Sequence, residues 1–327
     1  MAKIVTVFGG SGFLGRYVAQ RMAHRGWRVR VAVRRPNEAI QARTYGAVGQ
    51  VEPVICNIRD DASVADALSG ADAAVNCVGI LVEAGKNTFD AVQHLGADRI
   101  ARTARAQGVR RLVHVSAIGA DPSAKSGYAR SKGMGEAAVM GHCPEAVILR
   151  PSVMFGPEDR FFNRFAAMAA RSPVLPLVGA QTRIQPVYVD DVARAAEVAL
   201  TQDVPGGVYE LGGPQAQSLR AWVALVLGEI GHRRWVVNLP FPVAHVGAWW
   251  LDLVQKITLG LFVNNILTRD QVRLLRTDNV VGPDARGLRE LGIQPATAAS
   301  VLPDYLWMYR TGGQYAAIRE SARNLKV

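Results

Sequence analysis

The sequence predicts an α/β fold: a doubly wound parallel sheet with a smaller C-terminal α/β unit. Three observations predict it. Apolar runs at 4–8, 28–33, 51–56, 73–78, 112–116 and 146–150 alternate with helix-length stretches, the pattern of βαβ units with right-handed crossovers. The first run opens directly into Gly9-Gly10-Ser11-Gly12-Phe13-Leu14-Gly15 and then into a helical stretch ending near Met22. Past residue 235 the character changes to a segment rich in Ala, Val, Leu and Trp. On this reading residues 1–150 form the first domain, and 184–203 return to it. Residues 151–183 and 204–327 form the second.

Each element has a local reason. Gly9, Gly12 and Gly15 are spaced GxxGxxG between a strand and a helix. The first permits a tight turn, the second lets backbone approach a pyrophosphate, and the third lets helix and strand pack closely. The helix N-terminus at Phe13, Leu14 and Gly15 then offers free N–H groups and its positive dipole end to the phosphates. The alternating run 28–33 ends in Arg34-Arg35. An acid for the ribose 2′-hydroxyl of NAD usually stands there, and an arginine instead suits a 2′-phosphate, so NADPH is the expected cofactor. Arg16 is a second candidate for a phosphate. The third run leads into Asn57-Ile58-Arg59-Asp60, a corner beside the adenine. The fourth ends in Asn76-Cys77-Val78-Gly79, where small residues let the cofactor ribose pass. Phe89 to Gln107 reads as a helix stopped by Gly108, and 112–116 as the fifth strand.

Tyr128 and Lys132 follow that strand, four residues apart and so on one helical face. A phenol of pKa ~10 is a poor acid–base group at neutral pH. A neighbouring ammonium is expected to lower it, so that Tyr128 exchanges a proton with a carbonyl oxygen while hydride moves at a nicotinamide. The sixth strand follows at 146–150. Pro173, Pro176 and Gly179 mark a loop-rich insert. Residues 185–192 read as a short strand entering a helix capped by Asp190 or Asp191. Tyr209 to Gly213 reads as a strand and turn, and Ser218 as the cap of a helix running to Glu229.

The chain has 327 residues, 49% of them apolar, enough to bury a full core. Cys56, Cys77 and Cys143 lie far apart, with neither metal-ligand nor disulfide spacing, which points to a reducing compartment. The first strand begins at once, so no leader is expected, and no run of ~18 uncharged apolar residues predicts a membrane span. A net charge of +11 fits an acidic partner, an anionic membrane surface, nucleic acid, or simply a basic solvated face. No basic module interleaved with aromatics is present, so nucleic acid is not expected.

Taken in order, the glycine loop, Tyr128 and Lys132, the segment Arg150-Pro151-Ser152-Val153-Met154-Phe155-Gly156 and the segment Pro186-Val187-Tyr188-Val189-Asp190-Asp191-Val192 resemble the short-chain dehydrogenase/reductase superfamily in its extended or atypical branch. The resemblance covers roughly the first two thirds of the chain and implies a Rossmann sheet. Phe8 to Gly15, Phe155-Gly156-Pro157-Glu158-Asp159-Arg160-Phe161 and Leu267-Thr268-Arg269-Asp270-Gln271-Val272 are most similar to the Rossmann-fold accessory subunits of respiratory complex I, in a bacterial form. That resemblance implies a tightly held NADPH, no established substrate, other complex I subunits as partners, and a peripheral place on the cytoplasmic face of the inner membrane. It adds Pro151 and Val153 to the cofactor contacts and Ser116 to Tyr128 and Lys132 as the reacting set. Extended enzymes carry a serine or threonine just past the fifth strand. Here Ala117 takes that register and Ser116 falls one residue early, facing the opposite way, so weak or absent turnover is expected. The alternative is a free NADP-dependent reductase or epimerase acting on a carbonyl or nucleotide sugar.

In the C-terminal third, Pro240-Phe241-Pro242 opens an apolar segment interrupted by Asp252 and Lys256. Trp249 and Trp250 point about 100° apart on a helix. With Leu253, Val254, Ile257 and Leu261 they make a broad apolar face. It serves either as a core helix over the cleft or as a docking helix for partner subunits or anionic lipid headgroups. Arg269, Arg273 and Arg276 would give the following helix a basic side. From Tyr309 the tail is polar and basic and is expected to order on a partner.

Overall fold

The computed structural model describes residues 2–258, 264 and 267–315, the side chains of Lys256 and Gln314 excepted. Leu261 and the tail from residue 316 lie outside the described residues.

The six apolar runs form β1 (Ile4–Phe8), β2 (Arg28–Val33), β3 (Val51–Ile55), β4 (Ala73–Asn76), β5 (Arg111–Val115) and β6 (Val147–Pro151). Seven more strands follow among the described residues: β7 (Met154–Phe155), β8 (Val174–Val178), β9 (Arg183–Ile184), β10 (Val187–Tyr188), β11 (Gly207–Leu211), β12 (Gln217–Ser218) and β13 (Trp235–Leu239). The helices that matter here are α1 (Phe13–His24), α2 (Asp61–Leu68), α3 (Leu95–Ala106), α4 (Gly127–His142), α5 (Phe162–Arg171), α6 (Val189–Thr201), α7 (Leu219–Ile230), α8 (Phe241–Ile257) and α9 (Arg269–Leu274).

Seven strands form one parallel sheet in the order β11-β6-β5-β4-β1-β2-β3. The strand order reverses between β1 and β4, and the crevice beyond their C-terminal ends is where such sheets bind ligands. The expected Rossmann architecture is therefore present. Strand alternation divides the core. Val5 and Val7 face α1 and α6, packing with Val18, Met22, Val192 and Ala196. Phe8 faces the opposite layer with Leu68, Ile100, Leu112 and Val139. A third core, built from Phe162, Leu175, Trp222 and Val226, fills the smaller unit.

Helix boundaries follow local chemistry. Asp60 caps α2 by accepting from the Ser63 N–H at 2.7 Å, and Ser218 caps α7 at the Ala221 N–H. Gly108 takes φ +70° just after α3, as its place predicts. The helix expected over 89–107 is instead divided: a π turn, Asp90–His94, precedes α3. Asp190 and Asp191 are not the caps of α6. The helix starts at Val189 with Tyr188 at the cap position, so both acids sit in the first turn, still favourable against the dipole. Asp190 accepts a bidentate bond from Arg21 of α1, at 2.7 and 2.5 Å, and Asp191 accepts from the Ala296 N–H at 2.8 Å. The buried Glu197 also binds Arg21, so α1 and α6 are tied by charge as well as by packing. Residues 204–327 do not all belong to the smaller unit. Gly207–Leu211 pairs along β6 at the edge of the large sheet, because β6 offers an unpaired edge there.

A Cβ at Gly15 would lie 2.2 Å from the Gly9 carbonyl oxygen and 2.7 Å from Gly10 Cα, which is backbone that cannot yield. Gly15→Ala is therefore expected to destabilise the fold by about 2–3 kcal/mol through overpacking. Urea unfolding should show the lowered midpoint, with nucleotide affinity falling alongside it.

Candidate dinucleotide and reaction site

The site begins at the loop between β1 and α1. Gly9 has φ +74°, a conformation that side-chain-bearing residues rarely adopt, and its N–H donates to the Ala32 carbonyl at 3.0 Å. Gly12 caps α1 without a side chain, and the first turn contains no acid. The opening N–H groups of a twelve-residue helix are thus left to an anion. Phe13 packs edge-on to Tyr17 at 6.2 Å. The Leu14 side chain is buried in the core, so only its backbone can serve a ligand. Arg16 is not held out for a phosphate: its guanidinium lies 3.0 Å from Glu158, which also accepts from the Tyr17 hydroxyl at 3.2 Å.

The two arginines after β2 separate. Arg35 pairs with Glu38 at 2.8 Å on the open surface. Arg34 turns into a cleft of about 390 Å³ lined also by Ile55, Asn57, Arg59, Asp60 and Ser63. Arg34 Nη1 lies 3.4 Å from Asn87 Oδ1, and Arg59 donates to the Lys86 carbonyl at 2.9 Å. Ile55 is 71% exposed at the mouth of β3, an apolar platform between two cations. Ile58, by contrast, is buried in the core against Gly96. Sequence reading overlooked Ile55; the signal was an isoleucine closing a strand on its solvent side.

At the other end, the Val78 N–H donates to Asn76 Oδ1 at 3.1 Å, and the Val78 side chain sits against Gly9. Gly79 abuts Lys132, whose Nζ would be 3.5 Å from a Cβ at that position. Pro151 closes β6, buried, and its carbonyl accepts from the Ile118 N–H at 3.1 Å. Val153 is half-buried over the third core.

Tyr128 and Lys132 lie on α4, as their spacing predicts. Their electrostatics differ from expectation. Burial pushes Tyr128 up to about 12, and no lowering comes from Lys132. Burial also brings Lys132 down to about 8, opposed by Glu136 and Cys77. The reason is geometric: the Lys132 ammonium is anchored to the Val115 carbonyl at 2.9 Å rather than to the phenol. Tyr128 is thus a neutral, desolvated hydroxyl, steadied by an edge-on Phe89 ring at 5.9 Å. Among the described residues that hydroxyl has no hydrogen-bond partner.

Beneath the lysine lies a polar pair that sequence reading missed. Asn76 Oδ1 accepts from Val78, so its amide nitrogen faces His114 Nδ1 at 3.1 Å. His114 is held neutral, down to about 3, by burial and by Lys132. With Nδ1 accepting, the ring proton is on Nε2, which is buried without a partner among the described residues, as is the Ser116 hydroxyl. Orphaned buried donors beside a glycine cradle fit a ligand bearing phosphates at one end and polar oxygens at the other. A nicotinamide dinucleotide bound here would supply hydride transfer. Gly9, Gly12 and the N-terminus of α1 would hold its pyrophosphate, Arg34 and Arg59 its adenosine end, and Tyr128 would move a proton.

Comparison with known proteins agrees with this geometry. Residues 5–212 match the NAD dependent epimerase/dehydratase family. The mitochondrial NADH dehydrogenase [ubiquinone] 1 alpha subcomplex subunit 9 of Arabidopsis thaliana is 35% identical over 95% of this chain and 79% of its own. A ceramide reductase of Caulobacter vibrioides is 31% identical over 73% of this chain and 74% of its own. Among solved structures, the dTDP-glucose 4,6-dehydratase of Streptomyces venezuelae, with NAD bound, superposes with a TM-score of 0.70 at 20% identity, covering 94% of this chain and 96% of its own. That likeness is one of fold. The chain belongs to the NAD dependent epimerase/dehydratase family, as a homologue of the alpha subcomplex subunit 9 of NADH dehydrogenase.

Proposed function

We propose that this protein is a nucleotide-holding subunit of a bacterial NADH:quinone oxidoreductase, peripheral on the cytoplasmic face of the inner membrane, and that its nucleotide is NADPH. The observation that carries the reading is the similarity to subunit 9 over 95% of this chain, reaching beyond residue 212 where the family match stops. The surface of that third supports it. Val243, Val246, Trp250, Val254 and Ile257 recur on one side of α8, all exposed, with Trp250 at 58%. An apolar stripe of this kind on a free monomer is a liability and calls for a permanent neighbour, a partner subunit with anionic lipid headgroups at its margin. No helix among the described residues is long and apolar enough to cross a membrane. The glycine loop and sheet of 1–150, with 184–203 and the edge strand β11, form the nucleotide unit in this reading, and the remainder forms the docking unit.

NADPH held by the folded state alone adds ~2.7 kcal/mol of stability at a hundredfold excess over its dissociation constant. A cofactor can therefore act as a structural part without a catalytic cycle. Arg34 and Arg59 supply the charge for a 2′-phosphate. Nucleotide extracted from the purified protein should be NADP(H) by mass. Arg34→Asp should weaken it by about 1.5–3 kcal/mol, roughly 10- to 150-fold. Recovery of NAD(H) alone, or unchanged affinity in Arg34→Asp, would contradict the assignment.

A second reading, a free NADP-dependent reductase acting on a carbonyl, is favoured by the intact Tyr128 and Lys132 and by the similarity to a ceramide reductase. The two readings separate in one experiment. If the chain is a subunit, it comigrates with NADH–quinone oxidoreductase activity on native gels of solubilised membranes, Trp250→Asp releases it, and Tyr128→Phe stays assembled. If it is a free reductase, it runs as a small soluble oligomer and oxidises NADPH with a carbonyl substrate, an activity lost in Tyr128→Phe.

A further inference from the structure

Helix α4 carries Tyr128 in its first turn yet has no acid of its own there. The acid arrives from α9, more than 140 residues later. Asp270 accepts from the Ser126 hydroxyl at 2.7 Å, from the Gly127 N–H at 3.0 Å and from the N–H of Tyr128 itself at 3.2 Å. A carboxylate here satisfies donors that a helix N-terminus leaves open and meets the positive end of its dipole. Asp270 is in turn fixed to α8. Thr268 and Gln271 form a capping box that starts α9. Asp252 of α8 accepts from Arg269 Nε at 3.1 Å and from Asn264 at 2.9 Å.

A second, separate route reaches the ring of the same tyrosine. Gln255 of α8 donates to the Glu83 carbonyl at 3.0 Å, and the Glu83 carboxylate accepts from the Phe89 N–H at 2.7 Å. Phe89 is the ring packed edge-on against Tyr128. The backbone of Tyr128 is thus held by α9, and the ring packed against it is tied to α8, the helix that displays the exposed apolar stripe.

We propose that the α8–α9 segment is the positioning element of Tyr128, with Asp270 as its positioning residue, so that the reaction site is completed by the C-terminal third rather than by the nucleotide unit alone. This rests on the reading of Tyr128 as the group at the reacting end of the dinucleotide. It also gives Asp270 a role beyond the segment Leu267–Val272, whose Thr268, Gln271 and Val272 serve the start and packing of α9.

The test uses the full chain loaded with NADPH and labelled with 13Cζ-tyrosine, the Tyr128 resonance being identified by its loss in Tyr128→Phe. Asp270→Asn should shift and broaden that resonance while NADPH affinity, which reads the Arg34 end, stays within twofold. Ser126→Ala removes one donor to Asp270 together with the side-chain cap of α4, which accepts from the Ala129 N–H at 3.2 Å, and should shift it as well. An unmoved Tyr128 resonance in a folded Asp270→Asn overturns the proposal and leaves Asp270 as a stabilising cap. If Asp270→Asn does not fold, Gln255→Ala decides, since it leaves the α4 cap intact: a displaced Tyr128 signal supports the positioning role and an undisturbed one refutes it. Failure of the parent chain to bind NADPH would defeat the dinucleotide reading, and the Tyr128 shift would still be measurable in the nucleotide-free chain.

Discussion

The approach of α1 to the loop before it governs the rest of the structure. Only a hydrogen fits between Gly15 and the Gly9 carbonyl. That contact sets the height of α1 over the sheet. The height brings Arg21 within reach of Asp190 and Glu197, and this tie in turn fixes α6 against the same face. The crevice at the β1–β4 reversal is what remains when these layers are in place. A close-packed interior transmits such constraints because it has few soft directions in which to relax.

Much of this was legible in the chain because the signals are local. Strand period, the glycine spacing and the Tyr128–Lys132 interval each depend on neighbours within a few residues. The cap assignment held where the side chain acts on its own helix, as at Ser218, and failed at Asp190 and Asp191, whose partners lie on other elements. The same limit explains the site. That Arg34 is a candidate follows from its place after a strand, but that Arg16 meets Glu158 depends on a loop 142 residues away. The expectation that Lys132 lowers the Tyr128 pKa assumed contact from helical spacing. Facing the same way does not decide what an ammonium binds, and a backbone carbonyl of β5 is nearer. Asp270 lay in a segment that had been singled out, yet nothing local marks it as the cap of a distant helix.

The polar groups beneath α4 follow a different logic from the core around them. Asn76, His114, Ser116 and Lys132 are all buried, and two of them present atoms with no partner among the described residues. An unmet buried donor costs on the order of 1–3 kcal/mol. Such a cluster persists in a stable fold when a ligand or ordered solvent completes it, so the layer under the lysine is better matched to an occupied site than to an empty one.

The ion pair between Arg16 and Glu158 bridges α1 and the loop after β7, beside the helix end proposed for the phosphates. Both side chains are substantially exposed, and a pair of this kind contributes about 0–1 kcal/mol. As a gate it can slow the escape of a bound molecule by no more than roughly fivefold, and salt will weaken even that. A long residence time for the proposed nucleotide would then rest on the open N–H groups at the start of α1 and on Arg34 and Arg59. The mouth of the site governs who enters, and its floor governs who stays.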